Sequence, residues 1–256
     1  KENDGVHLRW PSSYYNTGWW GQQGKLKKNK RHKDKVNEII NFLEKSFAYY
    51  NSSTEMDLKM ESMKGVFNGN KNLYLHANYA KDIIDGINTC KEFNVKKIVL
   101  VGGEDAEKVI RELKENNISV ILNRVHRLPK NEDSKIDEPF KQAKILSDNN
   151  ILFSFSYAGD MEAMGSRNLP FTAGTAVSYG LNYEQAIKAL TLSTAKILGI
   201  DENLGSIEQG KEATFFISTD DALDIMKNNV ENIFIKGEAI DLENHQSKLY
   251  QKYTER

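Results

Sequence analysis

Between residues 73 and 156 the chain alternates short apolar runs with longer segments of helical periodicity. The apolar runs cover 73–76, 97–101, 118–122 and 151–156, and helical patterns lie between them. Apolar runs separated by helices are typical of strands that are covered on both faces. The alternation therefore predicts an α/β fold with a parallel sheet and right-handed crossovers. A further candidate strand, 6–10, lies before Pro11.

The first of the four runs ends in a histidine. His76 follows Leu73, Tyr74 and Leu75, and a helix pattern begins a few residues later. A side chain at the carboxyl end of a parallel strand faces the mouth of the sheet, where a neutral imidazole can hold a metal. The alternative is a core histidine bonded to a neighbour, because one histidine does not make a site.

Charge and cysteine content exclude several classes of protein. The 35 basic and 36 acidic residues give a formal net charge of −1, which offers no reason to propose nucleic acid or an anionic membrane as a partner. The single cysteine, Cys90, excludes an internal disulfide and a cysteine-rich zinc site. No apolar run is long enough for a membrane span. The basic run 25–35 predicts a solvated surface, with anion binding as the alternative.

The pattern changes after Gly199. Short strand patterns at 214–217 and 232–235 are bounded by glycines, which predicts a small β unit, and a polar tail follows. Two segments around this change, 189–199 (ALTLSTAKILG) and 204–214 (LGSIEQGKEAT), resemble the amidohydrolase superfamily. The similarity is to the C-terminal half of imidazolonepropionase-like members and covers about residues 65–241.

The resemblance implies part of a (β/α)8 barrel of the TIM type, about strands four to eight, with a small C-terminal β-sandwich portion. It assigns 1–200 to the barrel, 201–241 to the β-sandwich strands and 242–256 to a polar tail. The first three barrel strands are absent, which would leave strand edges with unpaired backbone groups. Because the chain also begins at Lys1 without a methionine or an apolar leader, we expect a C-terminal fragment or one piece of a split enzyme.

The family chemistry implied by the resemblance is metal-dependent hydrolysis of amide-like C–N bonds, other than peptide bonds, in small and often cyclic substrates. It implies His76 as a metal ligand and Asp160 as the general base and a second ligand. Zinc is the expected divalent metal, with iron or manganese as alternatives. His126, Arg127 and Arg167 are the candidate substrate-binding residues.

Two departures from the family pattern make the metal site incomplete. The sixth-strand position has Val101-Gly102-Gly103 in place of a histidine, and the family's His-x-His pair would lie before Lys1. Catalytic zinc sites use three protein ligands. The alternative prediction is therefore a catalytically inactive homologue without a metal, which serves as a binding or assembly component.

The expected partners are a small-molecule substrate and the missing N-terminal half of the barrel, from the same gene or a separate chain, and a homo-oligomer is an open alternative. The resemblance leaves the compartment open between the cytoplasm and export to the periplasm or beyond, and we favour export. A third reading, an open doubly wound sheet that binds a nucleotide, agrees with the alternation but not with the C-terminal β unit.

Overall fold

The computed structural model describes residues 1–18, 24–52, 55–129, 134–158 and 162–254. Its strands are β1 (Gly5–Arg9), β2 (Tyr14–Asn16), β3 (Leu26–Lys28), β4 (Asn72–Ala77), β5 (Ile98–Gly102), β6 (Ser119–Leu122), β7 (Phe153–Phe155), β8 (Phe215–Ser218), β9 (Val230–Ile235) and β10 (Glu238–Ile240). Its α-helices are α1 (His32–Ser52), α2 (Leu58–Glu61), α3 (Lys64–Asn68), α4 (Ala80–Glu92), α5 (Ile110–Glu115), α6 (Glu138–Asp148), α7 (Glu162–Gly165), α8 (Leu169–Ser178), α9 (Tyr183–Leu190), α10 (Leu192–Leu198) and α11 (His245–Thr254).

A five-stranded parallel sheet forms the centre of the fold. Its strand order is β1-β4-β5-β6-β7, and every neighbouring pair is parallel. Consecutive strands of the barrel thus lie side by side in chain order, each followed by helical crossover segments. This is the arrangement of part of a (β/α)8 barrel, and it confirms the fold class and the five strands predicted from the sequence.

The two faces of the sheet have different partners because side chains alternate along each strand. On β4, Leu75 and Ala77 belong to the main apolar core with the helices, whereas Tyr74 faces the inner side. Tyr74 packs there with Val99 of β5 and Ile197 of α10. His76 follows Tyr74 at the inner face, so the alternation places its ring toward the interior of the barrel.

A short antiparallel hairpin follows β1, in a part of the chain where no strand was predicted from the sequence. β2 pairs with β3 over three residues, from Tyr14↔Lys28 to Asn16↔Leu26. Strands of three residues are too short to show a period of two in the sequence, so the hairpin had no detectable signal.

The predicted C-terminal β unit is present as a separate antiparallel sheet of order β10-β9-β8. The polar tail contains α11. Among the residues that the structure describes, no helix combines the length and the apolar character that a membrane crossing requires.

Candidate functional site

A cleft of about 340 Å³ opens where four of the parallel strands end. Because the carboxyl ends of parallel strands meet at one edge of the sheet, polar residues from separate strands converge there. The lining residues come from β1 and the loop after it, from β4 and α4, and from β5 and β6: Arg9, Trp10, Ser12, His76, Ala77, Asn78, Asp82, Val101, Gly102 and Asn123.

His76 is half-buried in this cleft and is joined to a second histidine. The Nε2 atom of His76 lies 2.8 Å from Nδ1 of His7 on β1, so one ring donates a hydrogen bond to the other. His7 also stacks on Tyr74, with ring centroids 4.7 Å apart. The hydroxyl of Tyr74 donates to Asp4 at 2.6 Å, and burial together with this bond raises the pKa of Tyr74 to about 12. Tyr74 therefore supports the ring of His7, which in turn is hydrogen-bonded to His76.

The surroundings of His76 favour its neutral form. Partial burial is the main cause that lowers the pKa of His76 below its ordinary value of 6.5, and the neighbouring His7 and Arg9 lower it further. Arg9 is the register partner of His76 on β1. A neutral imidazole can accept a proton or bind a metal. The guanidinium of Arg9, by contrast, disfavours the binding of another cation beside His76.

Backbone geometry brings amide side chains to the floor of the cleft. Gly102 has φ +101°, and a side chain there would collide with Oδ1 of Asn78. Asn123, which follows β6, donates from Nδ2 to that oxygen at 3.3 Å. Val101, and not a histidine, is the β5 residue in register with His76. The glycines thus allow close approach of the strand ends, and the β5 position beside His76 is apolar.

A buried carboxylate fixes the rim of the cleft. Asp82, in the first turn of α4, accepts a hydrogen bond from the backbone N–H of Ser13 at 2.9 Å and a second one from the Ser13 hydroxyl. Nε2 of His32 lies 3.6 Å from the same carboxylate and 3.3 Å from the Ser13 hydroxyl. Since both contacts use one ring nitrogen, this is a structural cluster and not a relay in which Asp82 orients a base toward the serine.

Asp160 cannot be placed, and the other predicted site residues are not among those that line the cleft. Asp160 lies outside the described residues. His126 follows β6 but lines a separate cavity, where its Nε2 is 2.6 Å from the Thr175 hydroxyl. Arg127 is 4.0 Å from Glu104, and Arg167 is exposed. The structure therefore brings His76 to the cleft without these three side chains.

The donor set in the described residues agrees with only part of a metal site. Two imidazole nitrogens, one on His7 and one on His76, are chemically suited to zinc. Among the described residues, however, no three His, Cys, Asp or Glu side chains lie close enough together to hold an ion. Any further ligand must come from elsewhere, such as Asp160.

Sequence comparison places this geometry in a family. The model of the amidohydrolase family matches residues 48–240, about three quarters of the chain. The chain belongs to the amidohydrolase family. The fold and the C-terminal motifs noted in the sequence are therefore those of a hydrolase family, as the resemblance predicted.

Individual relatives match only in part. Imidazolonepropionase from Thermoplasma volcanium is 28% identical over 184 residues, which are 69% of this chain and 43% of that protein. The crystal structure of an amidohydrolase from Thermotoga maritima MSB8 has a TM-score of 0.74 at 24% identity and covers 94% of this chain and 63% of its own. An Xaa-Pro dipeptidase with bound methionine has a TM-score of 0.58 at 14% identity, over 93% of this chain and 54% of that one. The chain thus spans less than two thirds of each relative, and the structural matches speak for the fold alone.

Sequence reasoning missed the second donor of the site. His7 was not among the candidate site residues predicted from the sequence, although it lies on β1, the strand that pairs with β4. Because adjacent parallel strands run in register, alternate residues of β1 and β4 share one face. In the register that pairs 5–9 with 72–76, His7 and His76 face the same side of the sheet.

Proposed function

We propose that this amidohydrolase-family chain contributes to a metal-dependent hydrolase that cleaves an amide-like C–N bond in a small substrate. One observation carries the proposal: the imidazole of His76 lines the cleft at the carboxyl edge of the sheet. Family membership supports hydrolysis as the reaction class. The relative named imidazolonepropionase supports a small, cyclic substrate.

Under this proposal, His76 holds a divalent metal, with His7 as a neighbouring nitrogen donor and Asp160 as a further ligand. Zinc is the expected ion, and iron or manganese are the alternatives. When bound, the metal supplies a water of lowered pKa and a polarised scissile carbonyl. Asp160 is proposed to accept the proton of the attacking water and to pass it to the leaving nitrogen.

The remaining cleft residues are suited to hold the substrate. The amide of Asn123 can donate a hydrogen bond to a substrate oxygen, and the guanidinium of Arg9 can pair with an anionic group. Trp10 forms an apolar wall between the cleft and α4. Arg127, Arg167 and His126 stay candidates for substrate contacts.

The catalytic unit is proposed to need polypeptide beyond these five parallel strands. β1 and β7 each have one neighbour in the described sheet, so both present an edge. Edges of this kind pair readily with further strands. We therefore propose the remaining barrel strands as the partner, supplied by the same gene or by a separate chain, and the missing metal ligands would come with them.

A second candidate function is binding without catalysis. Val101 occupies the β5 position beside His76, and the Arg9 guanidinium is the register partner of His76 on the other side. Neither side chain is a metal ligand, and both lie next to His76, the strand-end histidine of the cleft lining among the described residues. In such a homologue, the cleft would bind a small molecule and His76 would be a hydrogen-bonding residue.

Activity measurements distinguish the two functions. The full-length protein is incubated with zinc or manganese and with a panel of cyclic amides and imides, and ring opening is followed by loss of ultraviolet absorbance. The proposal predicts turnover that a chelator abolishes and that His76→Ala removes, while His245→Ala, on exposed α11, leaves it unchanged. Chelator-resistant binding of a panel compound without turnover would favour the second function.

A further inference from the structure

The segment from Lys25 to Lys35 has a charge that the proposed hydrolase chemistry does not use. It contains seven lysine or arginine residues and a single carboxylate, Asp34. The whole chain has a formal net charge of −1, so this positive charge is concentrated locally and does not follow from the composition. A local excess of this size creates a field that attracts anionic groups.

The structure arranges this segment along a groove. β3 and the start of α1 form one side of a depression of about 960 Å³. Five lysines and His32 line it, together with the less polar side chains Tyr15, Leu26 and Val36: the lysines are Lys27, Lys28, Lys30, Lys33 and Lys81. Among the described residues, no Asp or Glu lines the groove. Within the described part of the chain, Asp85 beside Lys81 is the one carboxylate at ion-pair distance from these lysines.

Apolar surface accompanies the charge. Tyr15 is 51% exposed and Leu26 is 48% exposed, so the groove offers contact area besides its ammonium groups. A concave surface with alternating apolar and cationic groups suits an extended acidic peptide. The carboxylates of such a peptide pair with the lysines, and the aliphatic parts of its side chains cover Tyr15 and Leu26. A planar membrane does not enter a groove. Among the described residues, the lining offers only the rings of Tyr15 and His32, fewer than the run of stacking platforms that single-stranded nucleic acid uses.

Hydrogen bonds connect the residues of the groove to those of the cleft. Asn29, between β3 and α1, donates from Nδ2 to the Ser12 carbonyl at 2.9 Å and from its backbone N–H to the Ser13 carbonyl at 2.8 Å. Ser12 lines the cleft, and Ser13 is bonded to the cleft residue Asp82. A molecule bound in the groove is therefore held beside the mouth of the cleft.

We propose that this groove is a docking surface for an acidic, extended segment of a partner polypeptide. The partner's carboxylates lie against Lys28, Lys30 and Lys33, and its aliphatic stems lie on Tyr15 and Leu26. Docking there places the partner next to the cleft without occupying it.

The test measures binding of a fluorescein-labelled oligoglutamate peptide to the full chain by fluorescence anisotropy. The groove variant Lys28→Glu/Lys30→Glu/Lys33→Glu should weaken binding about tenfold or more, since it replaces three ion pairs by three repulsions. The matched variant Lys96→Glu/Lys97→Glu/Lys114→Glu makes the same change of charge at a cavity by the amino ends of the strands, and it should bind within about threefold of the parent. All six lysines are exposed, and circular dichroism confirms that both variants fold.

Three results would overturn the proposal. One is an absence of binding by the parent chain at low salt. Another is equal weakening in the two variants, which would mean attraction by net charge alone. The third is displacement of the peptide by oligothymidylate or by phosphatidylserine vesicles at lower charge concentration than by unlabelled oligoglutamate, which would assign the groove to nucleic acid or to lipid.

Discussion

At the residue scale, His76 gives the stability of the protein a pH dependence. The pKa of His76 is lowered in the folded state, mainly by partial burial. The unfolded chain then binds more protons than the folded one below the ordinary value of 6.5, so the free energy of unfolding falls as pH decreases through that range. This contribution is fully present above pH 6.5 and is lost as the pH falls through the lower folded pKa.

Thermal unfolding of the chelator-treated protein at pH 7.5 and at pH 5.5 measures this effect. We expect His76→Gln to reduce the drop in midpoint between the two pH values, because the substituted residue does not titrate. His245→Gln should leave the drop unchanged. An identical drop in the parent and in His76→Gln would show that His76 does not contribute to the pH dependence.

Asp82 provides a second prediction at this scale. Its carboxylate is 1% exposed and satisfies the buried N–H and hydroxyl of Ser13. Asp82→Ala leaves those donors without a partner, so we expect a loss of about 2 kcal/mol in the free energy of unfolding, measured by urea denaturation. Asp85→Ala, one turn away and paired with the exposed Lys81, should cost about 0.5 kcal/mol or less. Equal losses would contradict the role of Asp82 in fixing the rim.

At the element scale, the helices before three successive barrel strands end in the same way. Asn94, Asn117 and Asn150 have φ of 60°, 50° and 56°, and an aliphatic residue that enters the core follows each of them. In the second case, the Asn117 N–H donates to Lys114 O and the Ile118 N–H donates to Leu113 O, at 3.1 and 2.9 Å. This hydrogen-bond pattern ends a helix through one left-handed residue.

Substitution at Asn117 tests this helix ending. Alanine tolerates the left-handed region poorly, so Asn117→Ala should lower the free energy of unfolding by about 1 kcal/mol. Asn117→Gly meets no such cost and should be as stable as the parent or more stable. The comparison uses urea denaturation of the three proteins. Equal stability of the alanine and glycine variants would argue against the backbone explanation.

Strand order and strand positions could be predicted from the sequence because they depend on long, regular signals. The apolar runs and the intervening helices repeat over more than eighty residues, and the C-terminal motif supported the same fold. The hairpin of β2 and β3 has strands of three residues, too short for periodicity. The pairing of His7 with His76 depends on the register between strands 69 residues apart, which no local pattern encodes.

At the scale of the whole molecule, the two sheets differ in how well they are covered. β4 and β5 lie between other strands and carry fully buried residues such as Leu75 and Leu100. In the C-terminal sheet, Phe216 is 52% exposed and Ile235 is 48% exposed. A small sheet with little buried area opens at lower free energy than a covered one.

Hydrogen exchange followed by mass spectrometry tests this difference. Peptides that cover 72–77 and 98–102 should exchange through the largest openings, whereas those that cover 215–218 and 230–240 should exchange faster by at least about tenfold. Both sets come from one sample, so each is the control of the other. Equal protection of the two sets of peptides would contradict the prediction that the C-terminal sheet opens at lower free energy.

The central claim, that His76 is a metal ligand, is tested most directly by metal content. The full-length protein, His76→Ala and His245→Ala are purified without chelator and measured by inductively coupled plasma mass spectrometry. The account predicts about one zinc, iron or manganese per chain in the parent and in His245→Ala, and none in His76→Ala. A metal-free parent, or equal content in parent and His76→Ala, would contradict it and would favour the non-catalytic function.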